Sequence, residues 1–114
     1  MTDFSYLNVD KAYKLINQKV TKTPLVTNDY INNLLEAEIY FKLENLQNTG
    51  SFKLRGATHK ITKLIETVKD SGVVAYSSGN HAQAVAYASM INSISAKIIM
   101  PKTCLLYTSD AADE

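Results

Sequence analysis

The sequence predicts an α/β chain in which βαβ units build a parallel sheet. Two observations carry this. Apolar stripes at helical spacing alternate with short β-like runs, in the order helix, strand, helix, strand, helix, strand. Two strand-to-helix junctions hold polar, glycine-containing loops, residues 45–50 and 77–83. In open α/β sheets, ligands bind outside the carboxyl ends of the strands, which is where these loops are expected.

The elements follow in order. Val9, Ala12, Tyr13, Ile16 and Val20 recur at helical spacing and predict an N-terminal helix. Thr23-Pro24-Leu25 forces an extended stretch, because the residue before proline avoids the helical region. Thr27 or Asn28 can cap a short helix whose buried side is Ile31, Leu34 and Leu35. Residues 38–44 alternate, with Ile39, Phe41 and Leu43 on one face and Glu38, Tyr40, Lys42 and Glu44 on the other, which predicts a strand. Ala57, Ile61, Leu64, Ile65 and Val68 form the stripe of the next helix, ended by Asp70-Ser71-Gly72. Val73-Val74-Ala75-Tyr76 is a short buried strand. Ala82, Val85, Ala86, Ser89 and Met90 make a helical face of mostly small residues, suited to close packing on a sheet. Residues 96–100 are a third strand, stopped by Pro101.

Composition narrows the function. A chain of 114 residues makes one compact domain. The formal net charge of +1, with both signs interspersed, points to no polyanion such as nucleic acid. No apolar run approaches the ~20 residues of a membrane span. The start Met1-Thr2-Asp3-Phe4 lacks the features of a signal peptide, so a cytoplasmic setting is expected. The single cysteine, Cys104, allows no internal disulfide and no multi-cysteine metal site. His59 and His81 are not spaced as a metal pair, and no metal is expected.

The chemistry lies in the two loops. Most lysines are solvated, and Lys53 by residue type alone is one of them. Its context differs: Gly50 and Gly56 bracket it, and Phe52 offers a flat apolar face. A lysine in an apolar pocket loses its proton more readily and can attack a carbonyl, carrying an aldehyde cofactor as a Schiff base. The second loop, Ser77-Ser78-Gly79-Asn80-His81-Ala82-Gln83, is a good generic turn and helix cap. As a helix N-terminus it is also an anion site that suits a carboxylate. Asn80 can donate to a cofactor oxygen, and the Ser78 hydroxyl can relay a proton. His81 is read first as a buried, hydrogen-bonded structural histidine.

Lys42-Leu43-Glu44-Asn45-Leu46-Gln47 followed by Thr49-Gly50-Ser51-Phe52-Lys53-Leu54-Arg55-Gly56-Ala57 closely resembles the threonine dehydratase and serine racemase family of pyridoxal-phosphate (PLP) enzymes. The second loop matches the same family in the right order, and Thr23-Pro24-Leu25 and Met100-Pro101-Lys102-Thr103 fit it too. Two such motifs together are highly specific. The resemblance implies PLP fold type II, the tryptophan synthase β-like α/β architecture, with pyridoxal 5'-phosphate as cofactor. It implies that Lys53 holds the cofactor and then acts as base on the substrate α-proton. Phe52 packs against the pyridine ring and Asn80 hydrogen-bonds the ring hydroxyl. Ser77, Gly79, Asn80 and His81 frame the substrate carboxylate, with Ser51 nearby. The implied reaction turns L-threonine or L-serine into a 2-oxo acid and ammonia, with isoleucine biosynthesis one setting for it. Many threonine dehydratases carry alanine where this chain has Ser78. Serine racemase-like members carry serine there, as the acid/base on the opposite face, so racemisation is the alternative. From another class, a non-catalytic α/β binding module is the rival. A phosphate-binding NTPase is disfavoured, because no G-x-x-x-x-G-K-[ST] run exists. Cysteine and threonine synthases, of the same fold type, fit the two motifs less well.

Residues 1–103 therefore read as the N-terminal part of a PLP-dependent dehydratase domain. The family pattern breaks after Thr103, and residues 104–114 resemble a translated sequencing adapter rather than native protein; a natural acidic tail is the rival reading. Family members are longer. The glycine-rich loop for the cofactor phosphate and the partner of the pyridine nitrogen are not among these residues. The chain alone is expected to be inactive or nearly so, and the full-length protein is expected to form a homo-oligomer.

Overall fold

The computed structural model describes residues 6–102. The expectations placed on Met1-Thr2-Asp3-Phe4, on Thr103, on Cys104 and on the segment 104–114 lie outside the described residues.

The element order is α1 (Tyr6–Ile16), β1 (Leu25–Val26), α2 (Asp29–Leu35), β2 (Phe41–Lys42), a 3-10 turn (Glu44–Leu46), α3 (Lys53–Lys63), α4 (Ile65–Val68), β3 (Val73–Tyr76), α5 (Asn80–Ile91) and β4 (Ala96–Ile99). β3 and β4 pair in parallel, Val73 opposite Ala96 through Tyr76 opposite Ile99, with α5 as the crossover. This is the βαβ unit the alternation predicts. α5 packs on β3, β4 and α3, and α1 also packs on α3. Ile16, Val20, Leu54, Ala57, Ile61, Ala84, Val85, Ala88 and Ile94 form the buried core, with Val73, Ala75 and Ile98 packed against it from the sheet.

The strand at residues 38–44 is corrected. Only Phe41–Lys42 is β, and it pairs antiparallel with β1 in a separate two-stranded ribbon, Leu25 opposite Lys42 and Val26 opposite Phe41. It therefore does not feed the parallel sheet, and the loop that follows it does not leave that sheet's carboxyl edge. The physical reason is Glu44. Its carboxylate accepts hydrogen bonds from Arg55 and Thr23, and the chain turns into a 3-10 turn there instead of continuing the alternation.

Elsewhere the elements form with changed ends or faces, and α1 stops at Ile16, leaving Val20, buried, beyond it. Asn28 caps α2, its side chain accepting from the Ile31 N–H at 3.0 Å, but α2 buries no residue and Leu34 and Leu35 are exposed. The long apolar stripe runs as two helices, bent at Leu64, whose φ of −102° and ψ of 16° leave the helical range. The sequence predicts β3 as a buried strand. Val73 and Ala75 face the core, but Val74 and Tyr76 are 70% and 72% exposed. On α5, Ala86 and Met90 are exposed while Ala84 and Ala88 are buried, so the helix presents a face rotated from the expected one. Lys19 ties the segment after α1 to both α3 and the end of α5, donating to Thr62 Oγ1 at 3.1 Å and Asn92 Oδ1 at 2.6 Å.

Candidate active site

Lys53 is the first residue of α3. The loop before it is shaped by a turn in which the Gly50 N–H bonds the Gln47 carbonyl at 2.7 Å and Gly50 takes φ +67°, a conformation that favours glycine. Phe52 sits at the helix N-cap position and is 64% exposed, so its ring face is open. Lys53 is also exposed, which corrects the expectation of an enclosing apolar pocket. Among the described residues, its ammonium has no hydrogen bond or ion pair. Ser51 is 6% exposed, and neither its hydroxyl nor the buried Thr49 hydroxyl has a protein partner. A buried hydroxyl without a partner costs free energy unless a ligand or water satisfies it. Of the four such groups among the described residues, Thr58 and Ser89 lie in the packed interior, while Thr49 and Ser51 lie within four residues of the unpaired lysine, where a small polar ligand or water would satisfy them.

The second loop continues from β3. The Ser77 N–H bonds the Ile99 carbonyl at 3.1 Å, extending the parallel ladder by one rung, and Ser77 and Ser78 are half-buried. Gly79 is the N-cap of α5, its N–H donating to Ser77 Oγ at 3.3 Å, and no side chain caps the helix. The first N–H of the helical ladder is that of Gln83, bonded to the Gly79 carbonyl at 3.2 Å. The earlier amides of the first turn are thus outside that ladder, the usual source of anion affinity at a helix tip. Asn80 and His81 begin α5 and are both exposed. That overturns the reading of His81 as a buried structural histidine. His81 lines an open apolar cleft of about 320 Å³ with Gly56, Ala57, Lys60, Val74 and Val85, so the start of α5 lies beside the first turns of α3.

A polar clamp that residue patterns did not reveal holds the Lys53 loop. Arg55 donates through Nη2 to Glu44 Oε1 at 2.7 Å and through Nε to Oε2 at 2.9 Å. Thr23 Oγ1 donates to the same carboxylate, and Arg55 also donates to the Thr21 carbonyl at 3.2 Å. Gln47, buried, brackets the Thr21 backbone, accepting its N–H at 2.8 Å and donating to its carbonyl at 2.9 Å. The Arg55 hydrogen bonds, aided by the Thr23 hydroxyl and opposed by burial, hold the Glu44 carboxyl down at about 2 from an ordinary 4.5. Glu44 in turn raises the Arg55 pKa. One sequence signal existed: opposite charges at either end of a polar, glycine-containing loop. The strand alternation, which placed Glu44 on an outward face, concealed it. Among the described residues, no group of three or more His, Cys, Asp or Glu side chains is arranged to hold a metal ion, and no helix is long and apolar enough to cross a membrane.

An α/β unit with a lysine at one helix tip and an uncapped, glycine-led helix beside it offers a place for an aldehyde carried on the lysine and for an anion at the helix tip. The chain belongs to the family described as pyridoxal-phosphate dependent enzyme, which it matches over residues 16–111, a span that runs past Thr103 into the segment 104–114. Serine racemase from Dictyostelium discoideum is 44% identical over 102 residues, 90% of this chain and 32% of that protein. The biosynthetic L-threonine dehydratase of Lactococcus lactis is 52% identical over 95 residues, 83% of this chain and 23% of that protein. The crystal structure of the Dictyostelium serine racemase superposes with a TM-score of 0.80 at 46% identity, covering 84% of this chain and 32% of that one. The processed form of threonine deaminase isoform 2 from Solanum lycopersicum gives 0.72 at 33% identity, covering 90% and 30%. The chain thus spans about a third or less of the length of these relatives. The family and the fold, α/β of PLP fold type II, agree with the two motifs.

Proposed function

We propose that the protein from which this chain comes is a PLP-dependent ammonia-lyase that converts L-threonine or L-serine to a 2-oxo acid and ammonia. Its partner is a small hydroxy amino acid. The observation that carries the reading is the unpaired Lys53 ammonium at the tip of α3, next to two buried hydroxyls without partners, Thr49 and Ser51. These groups fit the reactive end of the cofactor. When bound, the cofactor supplies a sink for the electrons released at the substrate α-carbon.

The chain's own residues have these proposed roles. Lys53 holds the cofactor through its amine and afterwards takes the α-proton. Phe52, its face open, packs against the ring, and Asn80 bonds the ring hydroxyl. Ser77, Gly79, Asn80 and His81, at the uncapped start of α5, bind the substrate carboxylate, with Ser51 in the same pocket. A serine racemase-like activity is the second reading. Ser78 favours it, its half-buried hydroxyl just before Gly79 being able to hold a proton.

The 114-residue chain by itself is proposed to be inactive or nearly so, with residues 1–103 the N-terminal part of the catalytic domain and 104–114 a non-native tail. The tail reading rests on the residues after Thr103 no longer resembling the family's motifs; the family match itself runs on to residue 111, and the nucleotide sequence beyond the Thr103 codon decides between them. A cytoplasmic, homo-oligomeric full-length protein is the family expectation. The function is tested by borohydride reduction of the full-length protein in the presence of PLP, followed by peptide mapping. Label on Lys53, with a visible absorbance band that Lys53→Ala abolishes, supports the reading; label elsewhere only, or no band, sinks it and leaves the non-catalytic binding module. Assays of the full-length protein for 2-oxo acid and for D-serine separate lyase from racemase.

A further inference from the structure

We infer that Glu44 and Arg55 are positioning residues for Lys53: their fork closes the loop between them and fixes the direction in which the Lys53 side chain leaves α3. The inference rests on the reading of Lys53 as the cofactor-bearing lysine.

Three observations carry it. First, among the described residues the Lys53 ammonium is bonded to nothing, so its direction is inherited from the backbone alone. Second, the backbone hydrogen bonds of the loop are all short-range: Leu46 to Leu43, Gln47 to Glu44, Gly50 to Gln47 and Arg55 to Phe52. The ties that reach across it are made by side chains. Glu44 meets Arg55, and Gln47 and Arg55 both grip Thr21. Leu54, fully buried, anchors α3 to the core, but it does not anchor the loop to α3. Third, the hydroxyls of Thr49 and Ser51 contribute no bond that would hold the loop.

The geometry of the fork matters as well as its charge. Two parallel N–H···O bonds between planar groups fix orientation, whereas a lysine in place of Arg55 would supply a point charge. An amine that must meet a carbonyl carbon gains rate from being held in one orientation, and small misplacements are costly.

The test uses the full-length protein with PLP and borohydride, reading the share of label on Lys53 relative to the other lysines. Amide hydrogen exchange is measured alongside. In Glu44→Gln and Arg55→Gln, the Lys53 share is expected to fall about tenfold or more, the loss of one charge-assisted hydrogen bond. Exchange is expected to quicken at residues 47–53 while β3, β4 and α5 keep their protection. Arg55→Lys is expected to recover part of the label, because charge is kept and the fork is not. A wild-type share of label in both Gln variants overturns the inference. So does a loss of protection spread over the whole chain, which would make the fork a general stabiliser, and so does local loosening without loss of label. Absence of label on Lys53 in the full-length wild type overturns the reading of Lys53 itself; a labelled wild type with insensitive variants overturns only the positioning role.

Discussion

The Glu44 carboxylate and the Arg55 guanidinium meet in a two-bond fork, at 2.7 and 2.9 Å, across the loop that carries Lys53. Both side chains are largely shielded from water, with 14% and 24% of their surface exposed. The pair therefore differs from Lys14–Asp10 and Lys69–Glu66, which are single contacts within one helix or turn at the surface. Such exposed pairs contribute little, whereas a shielded fork with supporting hydroxyl and carbonyl groups contributes more.

This relationship predicts an acid dependence. The Glu44 pKa is lower in the folded chain than its ordinary value, so its contribution is complete above about pH 4.5 and is lost as pH falls toward about 2. Arg55→Gln removes the first cause of the shift, and the carboxyl returns toward 4.5. Protection of the amides of residues 47–53, measured from about pH 7 to about pH 2.5 and corrected for intrinsic exchange rates, should show this loop about 2 kcal/mol easier to open in the variant at neutral pH. Its remaining Glu44 contribution should disappear at a higher pH than in the wild type. Identical acid limbs for the two proteins would contradict the assignment of the shift to Arg55.

Gly72 and Gly56 should respond in opposite ways to alanine. Gly72 has φ +72°, and a Cβ there would lie 2.7 Å from the Ser95 carbonyl oxygen. That oxygen also accepts the Val73 N–H at 2.9 Å, at the entry to the parallel pair. Gly72→Ala is expected to cost about 1–3 kcal/mol and to weaken the first rung of β3–β4. Gly56 lies inside α3, and an added Cβ there would have no heavy atom within 4 Å beyond its own helix backbone and chain neighbours. Gly56→Ala should therefore gain about 0.5–1 kcal/mol through helix propensity. Thermal melts of the two variants check both signs.

Asn28→Ala should loosen α2 selectively. The helix buries none of its residues, so it depends on its ends. Asn28 supplies the N-cap bond to Ile31, and Asn32 bonds Thr27 Oγ1 at 2.8 Å and the Ile39 N–H at 3.0 Å. Losing the cap costs about 1 kcal/mol. Faster exchange confined to residues 29–35, with global stability nearly unchanged, is the expected result; unchanged exchange there would show that α2 does not rely on its cap.

What the sequence made legible is what local pattern controls. The β3–α5–β4 unit follows from alternation and turn chemistry, and the placement of Lys53 and Asn80 at helix starts follows from the two motifs. The failures share one physical origin, namely contacts distant in sequence. Residues 38–44 alternate like a strand, but Arg55 and Thr23 capture Glu44 and turn the chain. α5 has small residues on several sides, so composition could not tell that Ala84 and Ala88, rather than Ala86 and Met90, face the core. Thr58 and Ser89 are among the most buried side chains, yet nothing in their polarity announces it. For His81, residue type alone favours a structural role, and only the three-dimensional arrangement exposes it.

The two faces of the parallel pair should tolerate opposite treatments. Val73 and Ala75 pack on a core in which Leu54 is fully buried, so Leu54→Ala should cost about 3 kcal/mol by lost transfer energy and the cavity left behind. Val74 and Tyr76 alternate with those residues and stand on the opposite face, in register with Lys97 and Ile99, with Ile99 also exposed. An apolar patch of this kind on a short sheet favours association with other apolar surface. Val74→Thr combined with Tyr76→Thr keeps β-propensity while adding hydroxyls. The double variant should hold its urea midpoint to within about 0.5 kcal/mol and sediment as a smaller average species than the wild type. If it instead destabilised the chain as much as Leu54→Ala, that face would have to be covered within the chain itself, and the solvent-facing assignment of Val74 and Tyr76 would fall.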